Sequence, residues 1–135
     1  YLLLFQREDA ITLTPEVAAA LGADGRTPTL VVLDGTWHQC SRMARRAPRI
    51  ADLPCYALPP GAPGRWRIRT PPRPGAICTL EAITRAMALF HGEDALAPIE
   101  GWFDELIARL WQMRGYGPGE PGPGDADPDA EMSDA

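Results

Sequence analysis

The chain has 135 residues, room for one compact domain with a real core, and its 45% hydrophobic and 23% charged content is an ordinary globular balance that excludes wholesale disorder. No run approaches the roughly 20 apolar residues that cross a bilayer, so no membrane-spanning helix and no membrane partner is expected. The net charge of −5 hides a segregation: Gly115 to Ala135 holds six acids and no base, whereas Arg42 to Arg73 holds eight arginines and one acid. A basic surface of that density fits a polyanionic partner.

In chain order, Tyr1-Leu2-Leu3-Leu4-Phe5 reads as a buried strand. It is too short for a signal peptide and lacks the charged flank of one. A buried strand entered so abruptly predicts a fragment whose N-terminal part is missing. Ile11–Leu13 leads into Thr14-Pro15-Glu16, a helix start with an N-cap and proline at the first helical position, and that helix should stop at Gly22. Thr29–Leu33 is a continuous apolar run, the pattern of a strand covered on both faces in a parallel sheet. A helix should follow Asp34-Gly35-Thr36-Trp37 as far as about Ala47. Prolines between Pro48 and Pro74 leave room only for short strands, at Cys55–Leu58 and Trp66–Arg69.

Two amphipathic helices close the domain, with Leu80, Ile83, Met87 and Phe90 on one stripe and Ile99, Trp102, Phe103, Leu106, Ile107, Leu110 and Trp111 on the other. Both stripes are expected to be core. The domain should run over residues 1–114, and 115–135 is a Gly/Pro-rich acidic tail too poor in apolar residues to fold. Strands alternating with helices make the fold class α/β, a parallel sheet flanked by helices. The three cysteines, Cys40, Cys55 and Cys78, are odd in number, without a CxxC pair. They read as reduced thiols of a cytoplasmic protein, and no metal site is expected.

The chemistry should sit where β-strands of an open α/β sheet end, the edge at which such sheets bind ligands. Asp34 directly follows the Thr29–Leu33 strand, Gly35 permits a sharp turn, Thr36 can cap the next helix, and Trp37 adds an aromatic face. A helix cap with a core tryptophan is the plainer account of the same residues. Arg42, Arg45, Arg46 and Arg49 fall at i, i+3, i+4 and i+7, on one face of a helix that contains no acid to neutralise them. In Arg65-Trp66-Arg67-Ile68-Arg69, strand alternation would put three arginines on one side. Such residues can hold phosphates bidentately, or simply keep an edge strand soluble. Cys78-Thr79-Leu80-Glu81 has the spacing of a capping box at the start of the next helix.

Together, Leu30-Val31-Val32-Leu33-Asp34-Gly35-Thr36-Trp37, the arginine-rich helix, Arg65–Arg69 and Thr79-Leu80-Glu81-Ala82 resemble the DTW-domain family over about residues 1 to 92. These are transferases similar to the aminocarboxypropyltransferases that act on tRNA uridine. The resemblance implies a SPOUT-like fold with a C-terminal trefoil knot. It also implies S-adenosylmethionine as donor and transfer of its 3-amino-3-carboxypropyl group to N3 of a uridine in tRNA. A SPOUT-type RNA methyltransferase and a non-catalytic RNA-binding module are the alternatives. Carried onto this chain, Asp34 is the catalytic candidate. It could take the N3 proton, strengthened as a base by partial desolvation under Trp37, hold the donor's ammonium, or balance its sulfonium. Leu33, Asp34, Gly35, Thr36 and Trp37 with Cys78, Thr79, Leu80 and Glu81 form the expected donor pocket. Arg42, Arg45, Arg46, Arg49, Arg65, Arg67 and Arg69 are the expected RNA-phosphate contacts.

Overall fold

A computed structural model describes residues 1–66 and 75–116. The elements run β1 (Leu2–Leu4), β2 (Ile11–Thr12), α1 (Pro15–Gly22), β3 (Leu30–Val32), α2 (Trp37–Arg46), β4 (Cys55–Ala57), α3 (Thr79–His91) and α4 (Glu93–Met113). The strands form one four-stranded sheet in the order β2-β4-β1-β3, with every pair parallel. The α/β class expected from the alternation is therefore present. The path through residues 67–74, on which any knot would depend, lies outside the described residues.

β1 sits between β4 and β3, and all three of its leucines are buried. A strand with neighbours on both sides and a layer on each face has no solvent-facing position, which is why the sequence shows no alternation there. The pleat still divides it. Leu2 and Leu4 join Leu13, Ala18, Tyr56 and Ala86 under α1 and α3, while Leu3 joins Ala44 and Cys55 under α2. β3 splits the same way, Leu30 and Val32 to the first face and Val31 and Leu33 to the second. It is covered on both faces as expected, but among the described residues only β1 flanks it, and its residues are half-buried.

The helices start where the capping residues predict. The Thr14 hydroxyl accepts the Val17 N–H at 3.3 Å, with Pro15 at the first helical position. Thr36 and Gln39 form a capping box at the head of α2, where the Gln39 carbonyl oxygen accepts the Thr36 N–H at 2.9 Å. At the other end of α2, Arg7 donates to the carbonyls of Ala44 and Ala51 at 3.0 and 3.1 Å. Arg7 thus ties the β1–β2 connection to the negative end of that helix.

Three expectations need correction. The inner face of α3 is Ala82, Ala86, Leu89 and Phe90 with the buried Thr84, while Ile83 is exposed. Small alanines let the helix lie close to the sheet, and they outweigh the larger residues one position away. On α4 only Leu96 and Phe103 are buried; Ile99 and Trp102 are exposed, because α4 packs on α3 and no second layer lies beyond it among the described residues. Trp66 is not in a strand: its ring stacks on Phe103 of α4, centroids 5.9 Å apart. Arg67, Ile68 and Arg69, the rest of that predicted strand, lie outside the described residues, as does the acidic tail from residue 117 onward.

Candidate active site at the carboxyl edge of the sheet

Because all strands are parallel, their carboxyl ends share one edge. Four chain exits lie along it: Phe5 after β1, Leu13 after β2, Leu33-Asp34 after β3 and Leu58 after β4. Asp34 leaves β3 and turns at Gly35, whose φ is +147°. A Cβ at Gly35 would lie 3.0 Å from the Gln39 carboxamide oxygen, so the turn and the capping box together require glycine.

The two sequence motifs meet through one hydrogen bond: the Thr79 hydroxyl donates to Asp34 Oδ1 at 2.7 Å. Thr79 is the first residue of α3. Forty-five positions of sequence separation are thus closed at the point where the resemblance places the donor pocket. The second carboxylate oxygen, Oδ2, has no hydrogen-bond partner among the described residues, and the residue is exposed. Trp37 turns its ring onto Phe5, stacked at 5.1 Å and 21°. Asp34 itself is exposed, so the expected cover from Trp37 is absent; the tryptophan packs on the residue that follows β1. Leu33 and Leu80 are half-buried.

Glu81 does something different from binding a donor. It is 1% exposed and its carboxylate accepts three backbone N–H groups, from Arg65 at 2.7 Å, Cys78 at 3.3 Å and Trp66 at 3.4 Å. The guanidiniums of Arg85 and Arg65 stand 3.7 and 3.9 Å away. Only the Cys78 contact is the predicted capping box, with cysteine in place of the usual hydroxyl residue. The other contacts bind the loop after β4 down onto α3. Gly64 allows that approach, since a Cβ there would sit 2.9 Å from the Ala76 carbonyl and 3.3 Å from Glu81 Oε2. A buried, fully occupied carboxylate has no oxygen left for a ligand, so Glu81 leaves the list of donor-binding candidates.

The arginines also divide. Arg42, Arg45 and Arg46 are exposed on α2 as expected, but α2 ends at Arg46. Arg49 lies beyond it in a left-handed conformation, φ +68°, so it is exposed without extending the helical stripe. Pro48 explains the stop, since a proline disfavours helical backbone in the residue before it. Arg65 is taken up by α4. Its guanidinium pairs with Glu100 and with Asp104 (2.6 Å), and lies 5.1 Å over the Phe103 ring. It is not free to bind phosphate. Arg67 and Arg69 lie outside the described residues.

Sequence reasoning missed Arg85, which also donates to the Pro63 carbonyl at 3.3 Å, and Phe5, the stacking partner of Trp37. It also missed a cleft of about 710 Å³ between the Pro59–Pro63 loop, Pro15 and the second half of α3. Its floor, near Ala88, is about 13 Å along the α3 axis from Thr79. Neither Asp34 nor Thr79 lines it.

Burial pushes the thiols of Cys40, Cys55 and Cys78 up from their ordinary range, and for Cys40 the Asp34 carboxylate adds to the effect. All three cysteines are free. Among the described residues no group of His, Cys, Asp and Glu is arranged to hold a metal ion, and no helix is long and apolar enough to cross a membrane.

An exposed carboxylate thus stands where two loops meet at the carboxyl edge of the sheet of an α/β domain, next in sequence to a helix face that carries arginines and no acid. Residues 1–111 match the DTW domain, and the chain belongs to that family. Membership is consistent with an RNA-modifying role, with tRNA as the substrate class. No solved structure matches the chain.

Proposed function

We propose that the protein transfers the 3-amino-3-carboxypropyl group of S-adenosylmethionine to N3 of a uridine in tRNA. The observation that carries this reading is the Thr79–Asp34 hydrogen bond, which joins the Asp-Gly-Thr-Trp turn to the Thr-Leu-Glu-Ala helix start and leaves one carboxylate oxygen without a partner among the described residues.

The residues present fit the donor's needs at this edge. A sulfonium carrying an ammonium group calls for an accessible anion, and the exposed Asp34 would supply one, with Trp37 and Phe5 as the nearby aromatic residues in sequence and at the sheet edge. Leu33–Trp37 and Cys78–Thr79 would hold it; Glu81 would not touch it. When bound, the donor supplies a carbon, Cγ, made electrophilic by the neighbouring sulfonium. In the transfer the N3–H proton leaves, the N3–Cγ bond forms, and the Cγ–S bond breaks with release of methylthioadenosine. Uracil N3–H is a poor nucleophile until its proton is removed, and Asp34 Oδ2 is the open acceptor for that proton or for the donor's ammonium. Thr79 holds Oδ1 and would thereby keep the carboxylate in one position beside the donor. Arg42, Arg45, Arg46 and Arg49 provide phosphate contacts that orient the RNA without reading its sequence.

The test incubates the protein with unmodified tRNA and donor labelled either in the carboxypropyl carbons or in the methyl. Carboxypropyl label should appear in the tRNA, and Asp34→Asn should abolish it with the fold intact. Thr79→Val should lower kcat more than it raises KM. Label arriving only from the methyl overturns the reaction and makes the protein a methyltransferase; RNA binding without transfer of either label makes it a binding module.

A further inference from the structure

Five arginines of the domain, Arg7, Arg26, Arg65, Arg85 and Arg109, each have a carboxylate within ion-pairing distance. Arg42, Arg45, Arg46 and Arg49 have none among the described residues, and all four are exposed on and just beyond α2. Cations without acids are thus gathered in one place. The complementary charge is gathered too. Residues 117–135 carry six acids and no base, five of the acids falling between Asp125 and Asp134.

We propose that the acidic segment Asp125–Asp134 docks on the Arg42–Arg46 face of α2, with Arg49 just beyond it, and acts there as an intramolecular stand-in for a phosphate backbone. The length of chain suffices. A domain of this size is about 35 Å across, and a chain spans at most ~3.3–3.6 Å per residue. Asp125 lies nine residues beyond Tyr116 and Asp134 eighteen, so at full stretch the segment begins within about 30 Å of Tyr116 and ends within about 60 Å, a reach that spans most of the domain. The stretch 117–124 carries one charge and no residue with a large side chain apart from Glu120, the composition of a spacer that contributes no grip of its own. A tethered anion is present at an effective concentration on the order of millimolar, enough to compete with a weakly held external polyanion. Each exposed Arg–carboxylate pair is weak and screened by salt, so the contact is reversible and strongest at low ionic strength. The competition with RNA rests on the proposed RNA partner; the docking itself does not.

A charge cycle on the full chain tests this. The tail is neutralised by Asp125→Asn, Asp127→Asn, Asp129→Asn, Glu131→Gln and Asp134→Asn, and the face by Arg42→Gln, Arg45→Gln and Arg46→Gln. With a fluorescent oligouridylate at about 50 mM salt, tail neutralisation should tighten binding on the order of tenfold with the arginines intact and leave it unchanged in the arginine variant. An equal gain in both backgrounds overturns the docking, since it reports only the change in net charge; no gain in either does the same. Without RNA, neutralising the tail should shift the Nε–Hε resonances of Arg42, Arg45 and Arg46 and leave those of Arg26 and Arg109 in place. Unmoved resonances refute the contact whether or not the chain binds RNA. If oligouridylate fails to bind while the resonances move, the RNA partner is lost and the docking stands.

Discussion

Replacing Glu81 should unfasten the loop after β4. In Glu81→Ala three backbone N–H groups lose their acceptor and two guanidiniums lose a buried counter-charge. The contacts are unequal. The Arg65 N–H at 2.7 Å carries most of the interaction, while those at 3.3 and 3.4 Å are long and weaker. Removing one partner from a buried charged network typically costs about 3–5 kcal/mol, a large fraction of the 5–15 kcal/mol that stabilises a domain. For a domain of this size the fall in Tm should be about 10–20 °C. Glu81→Gln keeps an oxygen for Arg65 but turns an amide NH2 toward the Cys78 and Trp66 donors, so its loss should be smaller, about 1–2 kcal/mol. Thermal denaturation gives both values, and hydrogen exchange at the Arg65 amide should accelerate in step with them. If both variants melt within about 2 °C of the parent, Glu81 does not hold the loop and the assignment is wrong.

Gly35→Ala should destabilise by about 1–3 kcal/mol, because its φ of +147° is open almost only to glycine and its Cβ would press on Gln39; a denaturant midpoint unchanged from the parent contradicts the turn. Arg42→Ala with Arg46→Ala should weaken tRNA binding and reduce the slope of log K against log salt by about 2, measured by titration across salt concentrations. An unchanged slope removes α2 from the RNA contact. The buried thiols titrate higher in the folded chain than in the unfolded one. Their contribution is therefore fully present below the ordinary thiol value and is lost as pH rises above it through the folded values. Stability followed by chemical denaturation should decline above about pH 9, and Cys55→Ala, Cys40→Ala and Cys78→Ser together should flatten that decline.

Much of this architecture is legible in the residues themselves. Unbroken apolar runs at Leu2–Leu4 and Leu30–Val32 signal parallel strands because no position there faces water alone. Thr14-Pro15 and Thr36 mark helix starts through a purely local hydrogen bond. The backbone position of Asp34 is legible for the same reason, since it depends on the strand before it and the turn after it; the Thr79 hydroxyl that holds its side chain is not. What is not legible depends on distant partners. Nothing in Arg65-Trp66 announces that its arginine pairs with Glu100 and Asp104, since those carboxylates come 35 and 39 residues later. The register of α3 likewise follows from which side chains can sit close to Tyr56 and Leu13, and the hydrophobic stripe alone ranks Ile83 above Ala82. Glu81 looks like a cap because its cap partner is three residues away, whereas its stronger partner is sixteen residues away.

Arg65 hangs between two helices, its amide fastened to α3 and its side chain to α4. α4 never approaches Asp34 in sequence, yet it steadies the strap that presses on the head of α3, whose first hydroxyl grips that aspartate. The carboxyl-terminal helix is thereby a remote brace for the reactive corner. Loosening it at Glu100 or Asp104 would be felt as slack at Thr79 before it was felt as unfolding.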